Sequence, residues 1–409
     1  MRAPSDSARQ TRRQALRLGA ALGLGALPGC ALPQRLAAVP RADGSRATVL
    51  GLPNERFRIA HPDQITALEH EFAAAAERQR RHLGLASGAL LPRLDLLAIS
   101  GGGENGAFGA GLLNGWTQHG DRPTFDLVTG VSTGALTAPF AFLGPEWDAD
   151  LKRVYTDISP ERVLIRRWFT AALFDDALAD NSPLFETISG YLDERMIAAI
   201  ARGYREGRLL LAASADIDAQ TPVIWNLGAI ADSGHPRALE TIRRVLLASA
   251  AIPGAFPPVM FDVAVDGRPH QEMHVDGGAF VQAFLYPSAV TQARREAIAR
   301  GRRVSPARAF IIRNGRLDAE WSAVERRTVS IAGRAVSTMI SSAGYQDTLR
   351  IYFVTQRDGV DYNLAFIRPD FAQEFTTPFD QAYMRALFDY AFELGARGYE
   401  WTKMPPGLA

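Results

Sequence analysis

The chain has one cysteine, Cys30, in 409 residues. No intramolecular disulfide can staple it, and no zinc site can be assembled from thiolates. Lysine is almost as scarce: Lys152 and Lys403 stand alone among 45 basic residues, which leaves little room for Schiff-base or Walker-type lysine chemistry. Net charge is missing too, because 45 basic against 44 acidic residues leave +1. Such a chain has no global field to gather nucleic acid, so no nucleic-acid partner is expected. There is no H-E-x-x-H, no EF-hand loop and no cysteine cluster, so neither a metal nor a cofactor is expected. With 47% hydrophobic and 22% charged residues the composition excludes disorder and collagen and suits a large packed core.

The N-terminus is different in kind. Arg2, Arg9, Arg12, Arg13 and Arg17 precede an apolar run over 18–27 and then Pro28-Gly29-Cys30, the order of basic region, short apolar region and small-residue cleavage site found in export signals. The apolar run is about ten residues, too short to span a bilayer. Leu27-Pro28-Gly29-Cys30 resembles a bacterial lipobox, with Pro28 departing from the usual small residue. Thr11-Arg12-Arg13-Gln14-Ala15-Leu16-Arg17 is similar to a twin-arginine export signal with Ala15 where Phe is usual. The expectation is a signal peptide over 1–29 and a lipidated Cys30. Residues 30–60 would then form a lipidated N-terminus and linker tethering a body of residues 61–409 to the periplasmic face of a cell envelope. Loss of 1–29 lowers the formal charge to about −3, so membrane contact is expected through the lipid anchor rather than through charge.

Residues 94–100 form a short apolar run ended by three glycines, and 107–119 read as a helix. The unit repeats: an apolar stretch over 126–131 stops at Ser132-Thr133-Gly134, and a helical stretch runs to Leu143. Two successive strand–turn–helix units indicate a parallel α/β sheet. Further helices are expected over 62–85, 183–204, 236–250 and 380–401, with strands over 208–215, 222–227, 307–313 and 362–368.

Gly101-Gly102-Gly103-Glu104-Asn105-Gly106 satisfies G-x-G-x-x-G between a strand and a helix, the fingerprint of dinucleotide binding. That reading requires an acid closing the next strand. Asp126 has the separation but opens that strand instead. Consecutive glycines at a helix N-terminus also present unhindered N–H groups to developing negative charge, as an oxyanion hole does. Gly130-Val131-Ser132-Thr133-Gly134 matches G-x-S-x-G, where glycines permit the tight turn that exposes a serine hydroxyl. A serine nucleophile needs a base. Among seven histidines, His274 lies two residues before Asp276-Gly277-Gly278, and strand alternation would put both side chains on one face. Histidine and aspartate thus compete for the role.

The three blocks, in that order, resemble the signature blocks of the patatin-like phospholipases. Residues 248–259, Ala-Ser-Ala-Ala-Ile-Pro-Gly-Ala-Phe-Pro-Pro-Val, are similar to the stretch that precedes the aspartate in that family. The resemblance covers about residues 94–290. It implies a three-layer, mixed but largely parallel sheet flanked by helices. It also implies a Ser-Asp dyad without histidine: Ser132 as nucleophile, Asp276 as general base, and an oxyanion hole from the N–H groups of Gly102, Gly103 and Thr133. Gly101, Gly106, Gly130, Gly134, Gly277 and Gly278 would support those turns. The substrate would be a lipid or another carboxylic ester. One departure stands out: most relatives carry Arg or Lys where this chain has Asn105, which weakens the case for a charged phospholipid headgroup. A histidine-dependent α/β-hydrolase, with Asp262 or Asp266 and then His274 after the serine, would also satisfy residue order. An envelope lipoprotein that binds lipid without turnover is the non-enzymatic alternative.

Overall fold

The computed structural model of the chain describes residues 35–157, 165–166, 179–319, 321, 323–374 and 377–408. The expected signal peptide over 1–29 and Cys30 lie outside the described residues. The strands are β1 (Arg56–Arg58), β2 (Leu94–Ile99), β3 (Leu127–Val131), β4 (Ile165–Arg166), β5 (Ala179–Asp180), β6 (Leu209–Asp216), β7 (Thr221–Asn226), β8 (Val259–Val265), β9 (Arg268–Asp276), β10 (Ala307–Arg313) and β11 (Asp361–Phe366). The helices are α1 (Pro62–His82), α2 (Gly106–His119), α3 (Thr133–Leu143), α4 (Asp148–Thr156), α5 (Ser182–Tyr191), α6 (Glu194–Arg205), α7 (Leu227–Asp232), α8 (Ala238–Ser249), α9 (Gln292–Ala299), α10 (Thr328–Arg357) and α11 (Gln381–Ala396).

Continuous apolar runs such as Leu-Asp-Leu-Leu-Ala-Ile in β2 and Leu-Leu-Leu-Ala-Ala in β6 suit strands buried on both faces. They form the centre of a nine-stranded mixed sheet in which β11, β10, β2, β3 and β6 are neighbours and mutually parallel. Beyond β6 the pairing turns antiparallel, through β7 to β1 on one path and through β9 to β8 on the other. Side chains still alternate across the sheet: Leu97 and Ile99 enter one core beneath α2, α3 and α11, whereas Leu96 and Ala98 enter a second core shared with α1 and α10. The result is the three-layer α/β arrangement implied by the sequence, with the central strands parallel. Among the described residues no helix is long and apolar enough to cross a membrane.

Three local expectations change. The tether expected over 30–60 is not what residues 35–60 form. Arg41–Arg46 make a 3-10 turn, Thr48 bridges Ala264, and β1 joins the sheet edge by pairing with β7. Its arginines look solvent-facing in sequence but are buried. Arg56 donates to both Glu272 carboxylate oxygens at 2.6 and 3.1 Å, and Arg58 donates to Asp216 at 2.8 Å and pairs with Glu272 at 2.5 Å. The single helix expected over 183–204 is two, because the Asp193 side chain caps a fresh start by accepting from the Met196 N–H at 2.9 Å. The β8–β9 hairpin and the 30-residue α10 were not foreseen.

The buried ion pairs fasten the N-terminal segment across β9, and removing one partner strands charge in a dry interior. Glu272→Ala, which leaves Arg56 and Arg58 facing each other, is expected to cost about 3–5 kcal/mol of unfolding free energy in a urea titration.

Candidate active site

Parallel strands carry their functional loops at their carboxyl ends, and three of them do so here. β2 ends in the glycine loop, β3 ends at Ser132, and β10 ends at Asn314. Strand β9 arrives at the same edge from the opposite direction, so its last residue, Asp276, lies opposite Ser214 of β6. Ser132 joins β3 to α3 with φ 54° and ψ −128°, a conformation that L side chains rarely adopt. The flanking glycines explain why the turn closes: a Cβ on Gly134 would overlap the Ile99 carbonyl oxygen, and one on Gly130 would overlap that of Gly134. Ser249, at the end of α8, holds the strained residue. Its hydroxyl accepts from the Ser132 N–H at 3.0 Å and donates to the Ala213 carbonyl at 2.6 Å.

The Ser132 hydroxyl donates to Oδ2 of Asp276 at 2.6 Å. The other carboxylate oxygen accepts from the Gly278 N–H at 2.6 Å, and the Asp276 N–H donates to the Ala251 carbonyl at 2.8 Å. Both side chains are buried. Burial pushes the Asp276 carboxyl up to about 7, and the hydrogen bonds from Ser132 and Gly278, which favour the anion, offset this only in part.

His274 is occupied elsewhere. Its Nδ1 is 2.8 Å from the Ser214 hydroxyl and its Nε2 3.1 Å from Glu272, inside the Arg56–Arg58 network, and burial lowers its pKa. Asp262 and Asp266 are exposed, the first bonded by Gln271 and the second by Arg46. They do not assemble a triad with His274 and Ser132. Asp216, Glu272 and His274 have the donor types of a metal centre, but Arg56 and Arg58 fill the space between the two carboxylates with positive charge, so the cluster is an ion-pair network.

The glycine loop lies beside Ser132. Gly103 has φ 57°, and among the described residues none accepts from the N–H groups of Gly102, Gly103 or Thr133. Gly101 donates to the Gln282 carbonyl at 3.0 Å, Gly106 opens α2, and Gly277 packs against the Ala213 carbonyl. Asn105 accepts from the Tyr383 hydroxyl at 2.5 Å, which ties the loop to α11. Asp126 sits at the opposite, amino-terminal edge, where it accepts from the Asp95 N–H and the Gln79 amide. The acid that a nucleotide site would need is therefore on the wrong edge.

Several site residues escape sequence reasoning. Asn314 donates to the Ser100 carbonyl at 2.9 Å and accepts from the Gly109 N–H at 3.0 Å, bracing both ends of the glycine loop. Tyr155, fully buried, donates to the Thr133 carbonyl at 2.9 Å and meets the Thr133 and Thr137 hydroxyls. For Asn314 a signal existed, since it directly follows a parallel strand. Ser249 lies in the 248–259 stretch similar to the family's, which gives it no role by itself, and Tyr155 and Tyr383 have no local signature.

A cleft opens on Ser132 and Thr133. Leu136, Val154, Leu184, Ile252, Phe256, Phe379 and Met384 supply apolar walls, with Tyr155, Thr187 and Tyr191 between them; no charged side chain is among the described lining residues.

Residues 97–285, from β2 to just beyond Asp276, match the family model described as patatin-like phospholipase. This stretch is similar to a patatin-like phospholipase domain. The family's general activity is lipid acyl hydrolysis. No curated protein matches the chain. Among solved structures it is similar to VipD from Legionella pneumophila at 13% identity and a TM-score of 0.36, over 76% of this chain and 67% of that one. The patatin-like stretch contains the glycine loop, Ser132, Ser249 and Asp276. Asn314, α10 and α11 lie outside it.

A carboxyl whose folded pKa lies near 7 but whose unfolded value is near 3.8 destabilises the fold once ionised. Below about pH 4 it is protonated in both states and costs nothing; the cost grows as pH rises and levels off above about 7 at up to roughly 4 kcal/mol. Asp276→Asn is therefore expected to raise the melting temperature relative to the parent chain more at pH 8 than at pH 5.

Proposed function

We propose that the chain is a serine acyl hydrolase cleaving carboxylic esters of lipids, with Ser132 as nucleophile and Asp276 as general base. The observation that carries this reading is the 2.6 Å hydrogen bond from the Ser132 hydroxyl to a buried carboxylate whose pKa is near 7. As Oγ forms a bond to the ester carbon, its proton passes to Asp276 and the carbonyl π electrons move onto oxygen. The resulting oxyanion accepts from the N–H groups of Gly102, Gly103 and Thr133. Collapse expels the alcohol, which takes the proton from Asp276 and leaves an acyl-Ser132. Water then attacks that ester, again giving its proton to Asp276. The second collapse returns the proton to Oγ and releases the acid.

The uncharged cleft suits an acyl chain. Asn105, held by Tyr383, gives a headgroup no cation at the position where relatives carry one. These features support esters with uncharged alcohol portions at least as well as phospholipids. No observation favours a histidine base or a purely binding role. We extend the proposal to location: with a lipid on Cys30 the enzyme would be an envelope lipoprotein facing the periplasm, exported by the twin-arginine route and held at a membrane surface that contains its substrates.

Ser132→Ala and Asp276→Asn are each expected to lower kcat on p-nitrophenyl esters by about three orders of magnitude, whereas His274→Gln stays within about tenfold of the parent. The reverse pattern for Asp276 and His274 would reassign the base. Because Asp276 works as the anion, kcat/KM should rise with pH and level off above about 7, not above about 4. Radiolabelled fatty acid should mark the chain in cells and fail to mark Cys30→Ser; an unlabelled parent chain would remove the anchor from the proposal.

A further inference from the structure

Helix α10 is only half supported. It connects two neighbouring parallel strands, β10 and β11, so it runs back antiparallel to them. Its C-terminus lies near the start of β11, and its N-terminal half points past the carboxyl edge of the sheet, the edge that carries Ser132 and Asp276. Two contacts fix where the sheet ends along the helix: Asp347 accepts from the N–H groups of Gln282 and Ala283 at 2.6 and 3.2 Å, and Gly344 packs on Arg313, the last residue of β10. Residues 328–342 thus extend about 22 Å beyond that point, and along them no described residue is buried.

This projecting half is not built like a solvated helix. At 100° per residue Ile331, Ala335, Met339, Ala332 and Val336 fall within an arc of about 140°, and all five are exposed, Met339 at 70%. Ser330, Ser337, Ser341 and Arg334 take the other side. Trp321, 89% exposed, and Val324 precede the helix in the chain, and Phe280, 53% exposed, stands in the turn just after Asp276. Across 321–342 the charged residues are Glu325 against Arg326, Arg327 and Arg334. The segment is therefore positive in a chain that is otherwise balanced.

We propose that this segment docks on a lipid surface bearing anionic headgroups: the apolar arc and Trp321 enter the interface, Arg326 and Arg327 at the start of the helix meet the headgroups, and the catalytic edge is presented to the lipid. An exposed apolar arc flanked by Arg and Trp is the composition of an interfacial helix, and the helix projects past the carboxyl edge of the sheet, the edge on which Ser132 and Asp276 lie. In its last point the inference rests on the lipid-hydrolase reading; surface binding itself does not.

The test uses the full-length chain carrying Cys30→Ser, so that no covalent lipid contributes, in flotation with vesicles of phosphatidylcholine mixed with phosphatidylglycerol and of phosphatidylcholine alone. The chain is expected to float with the mixed vesicles and more weakly with phosphatidylcholine. Ile331→Asp combined with Met339→Asp should reduce flotation and hydrolysis of a vesicle-borne ester by about tenfold while leaving turnover of soluble p-nitrophenyl butyrate unchanged. Ser132→Ala should float like the parent while losing turnover. A parent chain that floats but never hydrolyses the soluble ester would defeat the hydrolase reading and uphold the docking. Absence of parent flotation, undiminished flotation of the double variant, or conversion of a dimer to a monomer in light scattering with vesicle binding unchanged would each overturn the docking, the last by assigning the surface to a second copy.

Discussion

The site depends on one carboxylate that must be dry and yet ready to ionise. Asp276 acquires a pKa near neutrality because it is buried, and it is buried because an antiparallel strand has been laid against the exit edge of a parallel sheet. β9 can reach that position only if its register against β6 is kept; a shift of one residue would turn the carboxylate to the opposite face. The register is held by backbone pairing of Ser214 with Asp276 and by the side chains two and four residues upstream, His274 and Glu272, locked among Arg56, Arg58 and Asp216. A network apart from Ser132 and Asp276 thus holds the strand that delivers Asp276, the proposed base.

The same logic applies to the nucleophile. Ser132 occupies a conformation that costs free energy, and its N–H would be unsatisfied without the Ser249 hydroxyl. Ser249, the last residue of α8, and Ala251, two residues on, contact Ser132 and Asp276 respectively. That segment therefore sets the spacing between the two reacting side chains, which accounts for its resemblance to the family although it contributes no atom to the chemistry.

What the sequence made legible is what local backbone geometry enforces. Gly102, Gly130, Gly134 and Gly277 are legible because a Cβ there would overlap a neighbouring carbonyl, and Gly103 because its φ of 57° favours glycine. The parallel strands were legible as apolar runs ended by those turns. Residues that act across long sequence distances left no such mark: Asn314 lies 214 residues from its partner Ser100, and Tyr383 lies 278 from Asn105. β1 reads as linker because it lies in a stretch rich in Pro, Gly, Arg and Ala with no steady period, and the carboxylate partners of Arg56 and Arg58 are more than 150 residues away. α10 is hard to read because its first half is rich in Ala, Gly, Ser and Thr and has no buried side chain among the described residues, so no core-facing stripe marks it as part of a globular body.

The wall of the cleft has a consequence in time. Phe379 and Met384 line the acyl cleft and Tyr383 holds the oxyanion loop through Asn105, yet all three follow Asp276 by more than a hundred residues. A nascent chain made only as far as residue 370 already contains the serine, the aspartate and every glycine turn. It still lacks one side of the binding site and the strut that holds Asn105. On the proposed reading, competence to cleave an ester therefore arrives late in synthesis, after the sheet has its full set of strands, and a chain interrupted before that point carries Ser132 and Asp276 without one wall of the cleft beside them.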